Sequence, residues 1–240
     1  MKDWYNFLEE VRQAREDLGN PETVWYRGHS SSEWKLTPSL HRFELGMKNE
    51  KILFEDFQKF FLLMGKDHKW SSDWETLFDM QHYGVPTRLL DWTETLGVAI
   101  AFAVLDHHDS HGDLAIYVLD PIKLNEKSRL DEIKHIPNDH FEYKSIYWNH
   151  EPFGAMYPIA IDPPYENKRM LAQNGTFTIH GDKPDPIESL VPEAVRQVVL
   201  PESVLKGAHE FIEYADLNPH KIYPDLVGIA SHLKRKYLGA

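Results

Sequence analysis

The sequence predicts an α+β fold in a single domain, with helices mainly in the N-terminal half and a mixed or antiparallel sheet mainly from the C-terminal half. Apolar residues recur at helical spacing through most of the first half. Short β-branched runs separated by proline and glycine follow in the second half. A chain of 240 residues with 42% hydrophobic residues is long enough to bury a core without a metal or a disulfide.

The first elements are a helix and a strand. Apolar residues at helical spacing predict an N-terminal helix within residues 1–19 that ends at Gly19, with the main unit over 20–240. The β-branched and aromatic run that ends in Tyr26 predicts a strand that stops at Gly28.

Three helices are predicted next. Two of them, over 48–65 and 72–82, follow from apolar residues at helical spacing, and Ser72 is the expected N-cap of the second. The third is the very apolar stretch "ETLGVAIAFAVLDH", for which Thr93 is the expected N-cap.

The remaining strands and helices are predicted from shorter runs. The predicted strands are "DLAIYVLD", "AMYPIAI", "GTFTIHG" and "VRQVVLP". Two closing helices are predicted over "ESVLKGAHEFIEYA" and "DLVGIASHLKRKY". Residues 121–152 show no regular period, so no element is assigned to them.

The composition argues against several classes of function. The chain has no cysteine, which excludes disulfides, cysteine–zinc sites and thiol catalysis. A net charge of −12 disfavours sequence-independent binding to nucleic acid, because it repels phosphates. Acidic residues interrupt any signal-peptide pattern, and no window is apolar over the roughly 20 residues that span a bilayer. We therefore expect a cytoplasmic protein without a membrane partner.

The triplet Tyr26-Arg27-Gly28 places an arginine at the predicted end of a strand. Arg27 could clamp a phosphate or carboxylate through its planar guanidinium, and Gly28 would let that ligand approach the backbone. The alternative is a strand-end arginine in a structural ion pair.

The segment "QHYGVPTRLLDWT", residues 81–93, places Arg88 and Asp91 at the start of the most apolar helix. Asp91 lies between two large apolar residues, so we expect it to be buried and paired with Arg88 or Arg27 beside a ligand. A structural role is also open, in which Asp91 caps the helix that starts near Thr93. Both roles can hold, because a helix N-terminus attracts anions.

The run "HHDSHGD" suggests a metal site, because imidazoles and carboxylates crowd together. Together with the preceding Asp106 it gives the Asp-His-His string, Asp106 to His108, of one phosphoesterase superfamily, but that chemistry needs further paired aspartates. The run falls between a helix and a strand, where a solvated loop is expected. We therefore expect His107, His108 and His111 to be exposed and to bind no metal.

The stretch "NKRMLAQNGTFTIHG" groups Arg169, Gln173, Gly175 and Phe177 ahead of a predicted strand. These residues could contribute to a site. Alternatively, Asn174 and Gly175 form a hairpin turn, and Gln173 is an ordinary neighbour of that turn.

The motifs "YRG", "WKLTPSLHR", "QHYGVPTRLLDWT" with "AIAFA", "RMLAQNGTF" and "IYPDLVGIASHLK" follow one another along the chain. Together they resemble the FRG domain, a family named for its Phe/Tyr-Arg-Gly signature. The resemblance extends over roughly residues 20–235, with Tyr26 where phenylalanine is usual. It implies a bacterial protein from a family seen in contexts suggestive of phage defence and toxins.

The sequence is also similar, more weakly, to ADP-ribosyltransferases. In those enzymes an Arg or His on the first strand holds NAD, a Ser/Thr-containing second strand leads into an Ala-x-x-Phe-Ala helix, and a late Glu contacts the ribose. Arg27, Thr87 followed by "AIAFA", and Gln173 fall in that order here. Glutamine stands in place of the late glutamate.

This similarity implies an ADP-ribosyltransferase-like fold that binds NAD or a related nucleotide between the early helices and the sheet. The residues expected to bind the nucleotide are Tyr26, Arg27, Gly28, His82, Tyr83, Thr87 and Arg88. Arg27, Asp91 and Gln173 are expected to act in catalysis. Arg27, the segment 81–93 and Gln173 should then converge on one pocket.

A second function remains open. The same cleft could belong to a non-catalytic module that recognises a nucleotide, a nucleic acid or a protein partner. Arg27 and Gln173 would then supply hydrogen bonds only.

Overall fold

The chain folds around a mixed sheet in the computed structural model, which describes residues 2–64, 70–105, 112–138, 140–164 and 168–238. The strands are β1 (Trp25–His29), β2 (Leu89–Thr93), β3 (Leu114–Leu119), β4 (Lys134–His135), β5 (Ile159–Asp162), β6 (Gly175–Ile179) and β7 (Val195–Leu200). Their order across the sheet is β4-β5-β6-β2-β1-β3-β7. The β4–β5 pair is parallel, and the other neighbouring pairs are antiparallel.

Helices of very different lengths surround this sheet. They are α1 (Lys2–Asp17), α2 (Ser39–Arg42), α3 (Gly46–Leu63), α4 (Asp73–His82), α5 (Leu96–Leu105), α6 (Pro121–Glu126), α7 (Tyr143–Tyr147), α8 (Lys168–Gln173), α9 (Ile187–Leu190), α10 (Leu205–Tyr214), α11 (Pro219–Ile222) and α12 (Leu226–Leu238), with a 3-10 turn at Glu202–Val204. The part of the chain that the structure describes holds no helix long and apolar enough to cross a membrane.

The mixed α/β class is confirmed, but the predicted division into a helical half and a sheet half is not. The strands β2, β1 and β3 lie next to one another inside the sheet, and all three come from the first half of the chain. Strand β3 is buried along its whole length, so its sequence is a continuous apolar run. Strand β1 runs to His29, one residue beyond the predicted stop at Gly28.

The helix α5 occupies the centre of the main hydrophobic core. Its side chains are buried on nearly every side, because the sheet encloses it together with α10 and α11. The N-terminal helix α1 contributes Phe7 and Val11 to this same core. Such burial explains why the sequence of α5 shows almost no polar face.

Two predicted N-caps have different outcomes. Ser72 precedes α4, and its hydroxyl accepts a hydrogen bond from the amide of Glu75 at 3.3 Å, as predicted. Thr93 is instead the last residue of β2, and α5 begins only at Leu96. Its hydroxyl accepts from the amide of Thr95 at 3.1 Å, ahead of the helix. Residues 89–93, which the sequence placed at the start of the helix, therefore form a strand.

Candidate functional site

The site begins where β1 and β2 separate. The two strands share a single register pair, Tyr26 with Thr93, whereas β1 pairs with β3 along its whole length. Beyond that pair Arg27 bridges the opening, since its Nη1 donates to the carbonyl oxygen of Asp91 at 2.5 Å. Tyr26 and Gly28 face α5, so the alternation of the strand directs Arg27 to the other side.

A cavity of about 210 Å³ lies beside Arg27. Its walls come from β1, β2, β6, α4, α5 and α8, with a further contribution from Tyr223. Arg27 and Arg169 supply cations, and Asp91 is the one carboxylate among the described residues that line it. The cavity thus brings together Arg27, part of the segment 81–93 and Gln173, which is the convergence that the sequence predicts.

Aromatic rings form the apolar walls of this cavity. Phe78 and Phe177 stack with their ring centroids 5.2 Å apart, and Phe102 meets Tyr223 edge-on at 5.7 Å. The guanidinium of Arg169 lies over the Tyr223 ring, 4.8 Å from its centroid. Such walls can hold a planar ring by stacking.

A chain of hydrogen bonds connects α4 to the two charged residues at the cavity. The Thr87 hydroxyl donates to Gln81 Oε1 at 2.6 Å, and Gln81 Nε2 donates to Asp91 Oδ2 at 2.8 Å. The same carboxylate oxygen lies 3.7 Å from Arg27 Nη1. The carboxylate of Asp91 therefore lies closer to Gln81 than to Arg27.

His29 supports Arg27 from its other side. Arg27 Nε donates to His29 Nε2 at 2.9 Å, and His29 Nδ1 lies 3.3 Å from the carbonyl oxygen of Trp34. Nε2 must accept, so the proton of the neutral ring resides on Nδ1 and points to that carbonyl. Burial, reinforced by the positive charge of Arg27, lowers the pKa of His29 to about 3. His29 is thus a neutral acceptor at physiological pH.

Gln173 is held against the β2 end by a corner of hydrogen bonds. The Thr93 hydroxyl donates to the Gln173 carbonyl oxygen at 2.6 Å, and Gln173 Nε2 donates to the carbonyl oxygen of Ile222 at 2.9 Å. Gln173 ends α8, and Asn174, with a φ of 43°, leads directly into β6. The alternative of a hairpin turn at Asn174 and Gly175 is therefore wrong, because a helix precedes the strand.

The predicted burial of Asp91 is wrong. Its side chain is 52% exposed, although both sequence neighbours are buried in β2. In a strand, alternate residues face opposite sides, so apolar neighbours in sequence do not imply burial of the residue between them. The predicted pairing with an arginine holds for Arg27 and not for Arg88.

Arg88 belongs to a buried ion pair away from the cavity. Its side chain is 3% exposed, and its Nε and Nη2 donate to the two carboxylate oxygens of Glu50 at 2.6 and 2.8 Å. The Tyr143 hydroxyl also donates to Glu50, at 2.6 Å. Burial alone would lower the pKa of Arg88, but the hydrogen bonds and charge of Glu50 outweigh it and raise that pKa above its usual value. Arg88 is therefore a core residue, and its predicted contact with a nucleotide is not supported by its position.

The other expected nucleotide-binding residues divide into two groups. Tyr26 and His82 line the cavity, as expected. Thr87 lies behind it and acts through Gln81, while Tyr83 packs with phenylalanines of α3 in a separate surface depression. Gly28 lines the cavity, but its lack of a side chain serves α5: a Cβ there would meet the carbonyl oxygen of Ala99. Helix packing is thus one reason for glycine at this position, and ligand approach stays a prediction.

Three important residues are not singled out by the sequence reasoning. Gln81 and His29 hold the charged pair, and Glu50 neutralises Arg88. Gln81 and His29 do border the two quoted motifs, and that position is the signal that could have found them. Glu50 sits among lysines and apolar residues of α3, where its sequence resembles an ordinary solvated face.

The histidine run offers no test of the metal expectation. His107, His108 and His111 lie outside the described residues. Among the residues that are described, no group of three or more His, Asp or Glu side chains is arranged to hold a metal ion.

The family model of the FRG domain matches residues 22–112. Over this segment, which carries Arg27, Gln81 and Asp91, the chain is similar to the FRG domain. The resemblance expected over 20–235 is shown for this part, and Gln173 lies beyond it. No curated protein and no solved structure matches the chain.

Proposed function

We infer that this chain, with its FRG domain, binds NAD or a related nucleotide in an ADP-ribosyltransferase-like cleft at the cavity beside Arg27. The observation that carries the proposal is the juxtaposition of Arg27 with the stacked ring pair of Phe78 and Phe177. A nucleotide combines an anionic phosphate with a planar ring, and these walls offer a partner for each.

The cavity size narrows the binding mode. A volume of about 210 Å³ is below the roughly 300–1,000 Å³ of pockets that enclose drug-sized ligands. One ring with its ribose is the part of a dinucleotide that fits such a space. Arg27 at the β1–β2 opening would then contact the phosphates, and the second nucleoside would lie toward solvent.

The chemistry we propose is loss of nicotinamide. The bond between the ribose C1′ and the ring nitrogen breaks, and its electron pair leaves with nicotinamide. Water or an acceptor macromolecule then adds to C1′ and releases one proton to solvent. Positive charge develops on the ribose before that addition, so a nearby carboxylate would stabilise the transition state. Asp91 would supply that charge, and Gln173 Oε1 would accept a hydrogen bond from a ribose hydroxyl.

The test compares binding and turnover. Calorimetry with NAD and with ADP-ribose should show saturable binding by the wild-type chain and little binding by Arg27→Met, while nicotinamide release should require NAD. Arg12→Met is a matched control, because Arg12 pairs with glutamates on the exposed face of α1. Absence of binding by the wild type at millimolar ligand would overturn the proposal.

A non-catalytic nucleotide-binding module is the second candidate. Two observations favour it: Gln173 carries no charge and donates its amide to Ile222, and Asp91 is already bonded to Gln81. Such a module would bind ADP-ribose and release no nicotinamide. Asp91→Asn would then leave ADP-ribose affinity intact and remove no activity, whereas in the enzyme it would abolish nicotinamide release.

The proposal extends to a cellular role as a bacterial toxin or phage-defence effector that consumes NAD or modifies an acceptor. Its support is the FRG resemblance and the cavity chemistry together. Cells that express the wild-type chain should lose NAD, and cells that express Arg27→Met should keep it.

A further inference from the structure

We propose that Gln81 is a positioning residue that keeps Asp91 from closing onto Arg27, so that the two charges do not neutralise each other at the nucleotide site. The inference rests on the proposed function for the identity of the ligand. It rests on geometry alone for the arrangement of the three side chains.

The geometry of the Arg27–Asp91 pair is that of an open pair. Arg27 Nη1 is 3.7 Å from Asp91 Oδ2, and Arg27 donates to the Asp91 backbone carbonyl instead. The same chain builds a closed pair elsewhere, where Arg88 makes two contacts of 2.6 and 2.8 Å with the carboxylate of Glu50. The open arrangement at the cavity therefore has a local cause.

Gln81 is that cause, because its own orientation is fixed. The Asp91 carboxylate can only accept, so the Gln81 atom that faces it at 2.8 Å is Nε2. Oε1 of Gln81 then faces the Thr87 hydroxyl, which donates to it at 2.6 Å while its oxygen accepts from the amide of Leu89 at 3.0 Å. Asp91 and Thr87 together fix the direction of the amide, and the amide holds the carboxylate.

Asp91 would move if Gln81 did not hold it. Its side chain is half exposed, so it has space to rotate, and Arg27 is anchored on its far side by His29. Among the described residues, removal of the Gln81 amide would leave Arg27, at 3.7 Å, as the side chain paired with the carboxylate. The expected result is a closed pair resembling the one between Arg88 and Glu50.

A closed pair would weaken binding of an anionic ligand. The phosphate would have to displace the carboxylate of Asp91 before it could contact Arg27. Exposed ion pairs contribute up to about 1 kcal/mol, which corresponds to a loss of affinity of about fivefold.

The experiment measures ADP-ribose affinity by calorimetry in three chains. Gln81→Met, which removes the amide and keeps the length of the side chain, should bind about fivefold more weakly than the wild type. The double variant Gln81→Met with Asp91→Asn should regain wild-type affinity, because no carboxylate remains to close onto Arg27. A purely structural role of Gln81 would weaken both variants equally, and that result would overturn the proposal.

Gln13→Met is the matched control. Gln13 donates to Asp17 at 2.9 Å on the exposed side of α1, so it makes the same kind of hydrogen bond away from the cavity. Its substitution should leave ADP-ribose affinity unchanged.

A measurement without ligand separates this proposal from the proposed function. In the ¹⁵N NMR spectrum, a closed pair would slow rotation of the Arg27 guanidinium and give separate Nη signals in Gln81→Met but not in the double variant. If these signals appear and the wild type binds no ADP-ribose, the positioning role stands and the nucleotide function falls. If the wild type binds ADP-ribose and Gln81→Met neither closes the pair nor loses affinity, the positioning role falls alone.

Discussion

Arg88 and Arg27 differ in role because they differ in how closely a carboxylate pairs with them. Arg88 is fully buried, and Glu50 neutralises it through two short contacts. Arg27 is 20% exposed, and the carboxylate of Asp91 remains 3.7 Å from its Nη1. Arg88 therefore belongs to the core, and Arg27 places its positive charge at the cavity.

The first prediction concerns stability at these two positions. Glu50→Ala should lower the free energy of unfolding by about 3–5 kcal/mol, because it leaves Arg88 buried without its counterion. Asp91→Ala should cost less than about 1 kcal/mol, because Asp91 is half exposed. Urea denaturation measures both values.

Asp56→Ala serves as the reference for those measurements, since Asp56 makes an exposed pair with Lys59. Equal losses for Glu50→Ala and Asp56→Ala would contradict the assignment of the Arg88–Glu50 pair to the core.

The second prediction follows from the neutral state of His29. Burial lowers its folded pKa from 6.5 to about 3, so the unfolded chain binds a proton at pH 5.5 that the folded chain does not. The contribution of neutral His29 to the free energy of unfolding is therefore intact above pH 6.5. It is lost progressively as the pH falls toward 3. Between pH 7.5 and 5.5 the loss for this group is about 1.4 kcal/mol. His29→Gln keeps an acceptor for Arg27 and should remove that part of the pH dependence in urea titrations.

Other histidines also contribute to the slope of the free energy of unfolding against pH in the wild type. The difference in this slope between wild type and variant is therefore the informative quantity. His180 has its pKa lowered to about 3 by burial and by His41, and it titrates equally in wild type and in His29→Gln. His140→Gln, at an exposed position, is the control substitution. A slope in His29→Gln equal to that of the wild type would show that His29 is not held neutral.

The third prediction tests the effect of introducing a negative charge at position 173. Gln173→Glu would place a carboxylate next to the Ile222 carbonyl oxygen that now accepts from its amide. Repulsion would turn the new carboxylate into the cavity, where it should stabilise the cationic ribose and raise nicotinamide release from NAD. The release assay compares it with Gln13→Glu on the surface. No increase over the wild type would contradict the analogy with the late glutamate of ADP-ribosyltransferases.

At the scale of single residues, the sequence predicts site residues that lie within a short motif. It does not predict contacts between residues that are far apart in the chain. Arg27 and Gln173 are predicted to converge, and the cavity contains both. The burial of Asp91 is predicted wrongly, because the prediction rests on apolar neighbours in sequence and does not apply the alternation of a strand. Glu50 is missed because its partner lies 38 positions away and nothing in the local sequence of α3 marks the pair.

At the scale of elements, the separation of β1 and β2 creates the site. It is maintained on one side by α5, which packs against Gly28, and on the other by the corner that joins Thr93 to Gln173. The C-terminal end of α4 then reaches the opening and contributes Gln81. Each element is therefore placed by a contact that can be removed separately.

The fourth prediction removes the contact between β1 and α5. In Gly28→Ala, the added Cβ would meet the carbonyl oxygen of Ala99 and lie 2.8 Å from the amide nitrogen of Ala103. The helix backbone cannot move aside as a flexible side chain can. We therefore expect Gly28→Ala to lower the free energy of unfolding by at least about 2 kcal/mol. Thermal and urea denaturation measure it.

Gly175→Ala provides the comparison, because it lies in β6 on the same cavity and its Cβ would be 3.5 Å from the nearest atom. It should unfold within about 1 kcal/mol of the wild type. If Gly28→Ala were equally mild, α5 would not approach β1 as closely as the structure has it.

Element prediction from sequence succeeds for the long helices and fails for the segment 89–93. The bounds of α3 and α4 lie within two residues of the predicted 48–65 and 72–82. The strand β2 cannot be recognised locally, because its five residues run almost directly into the apolar sequence of α5. Its pairing with β6 along its whole length is what defines it. Long-range pairing is not visible in local periodicity.

For the whole molecule, the charge of the chain and the charge of the site are opposed. The net charge is −12, whereas Arg27 and Arg169 both line the cavity beside the single described carboxylate, Asp91. A nucleotide approaching from solvent meets a repulsive field at long range and attractive contacts only near the cavity. Affinity should therefore depend on short-range contacts with these arginines, and variants of distant surface cations should have little effect.

The fifth prediction uses this dependence to couple binding to folding. A ligand that binds only the folded chain raises the free energy of unfolding by about 2.7 kcal/mol when its concentration is 100 times its Kd. ADP-ribose at that excess should therefore stabilise the wild-type chain by this amount in urea denaturation, with the same midpoint shift for NAD if NAD is not consumed. Arg27→Met should lose most of the stabilisation, because the cavity loses its principal cation, whereas Arg12→Met should retain it, because Arg12 lies on the exposed surface of α1. Equal stabilisation of the wild type and Arg27→Met would show that ADP-ribose binds elsewhere on the molecule, and the cavity beside Arg27 would no longer be the candidate site.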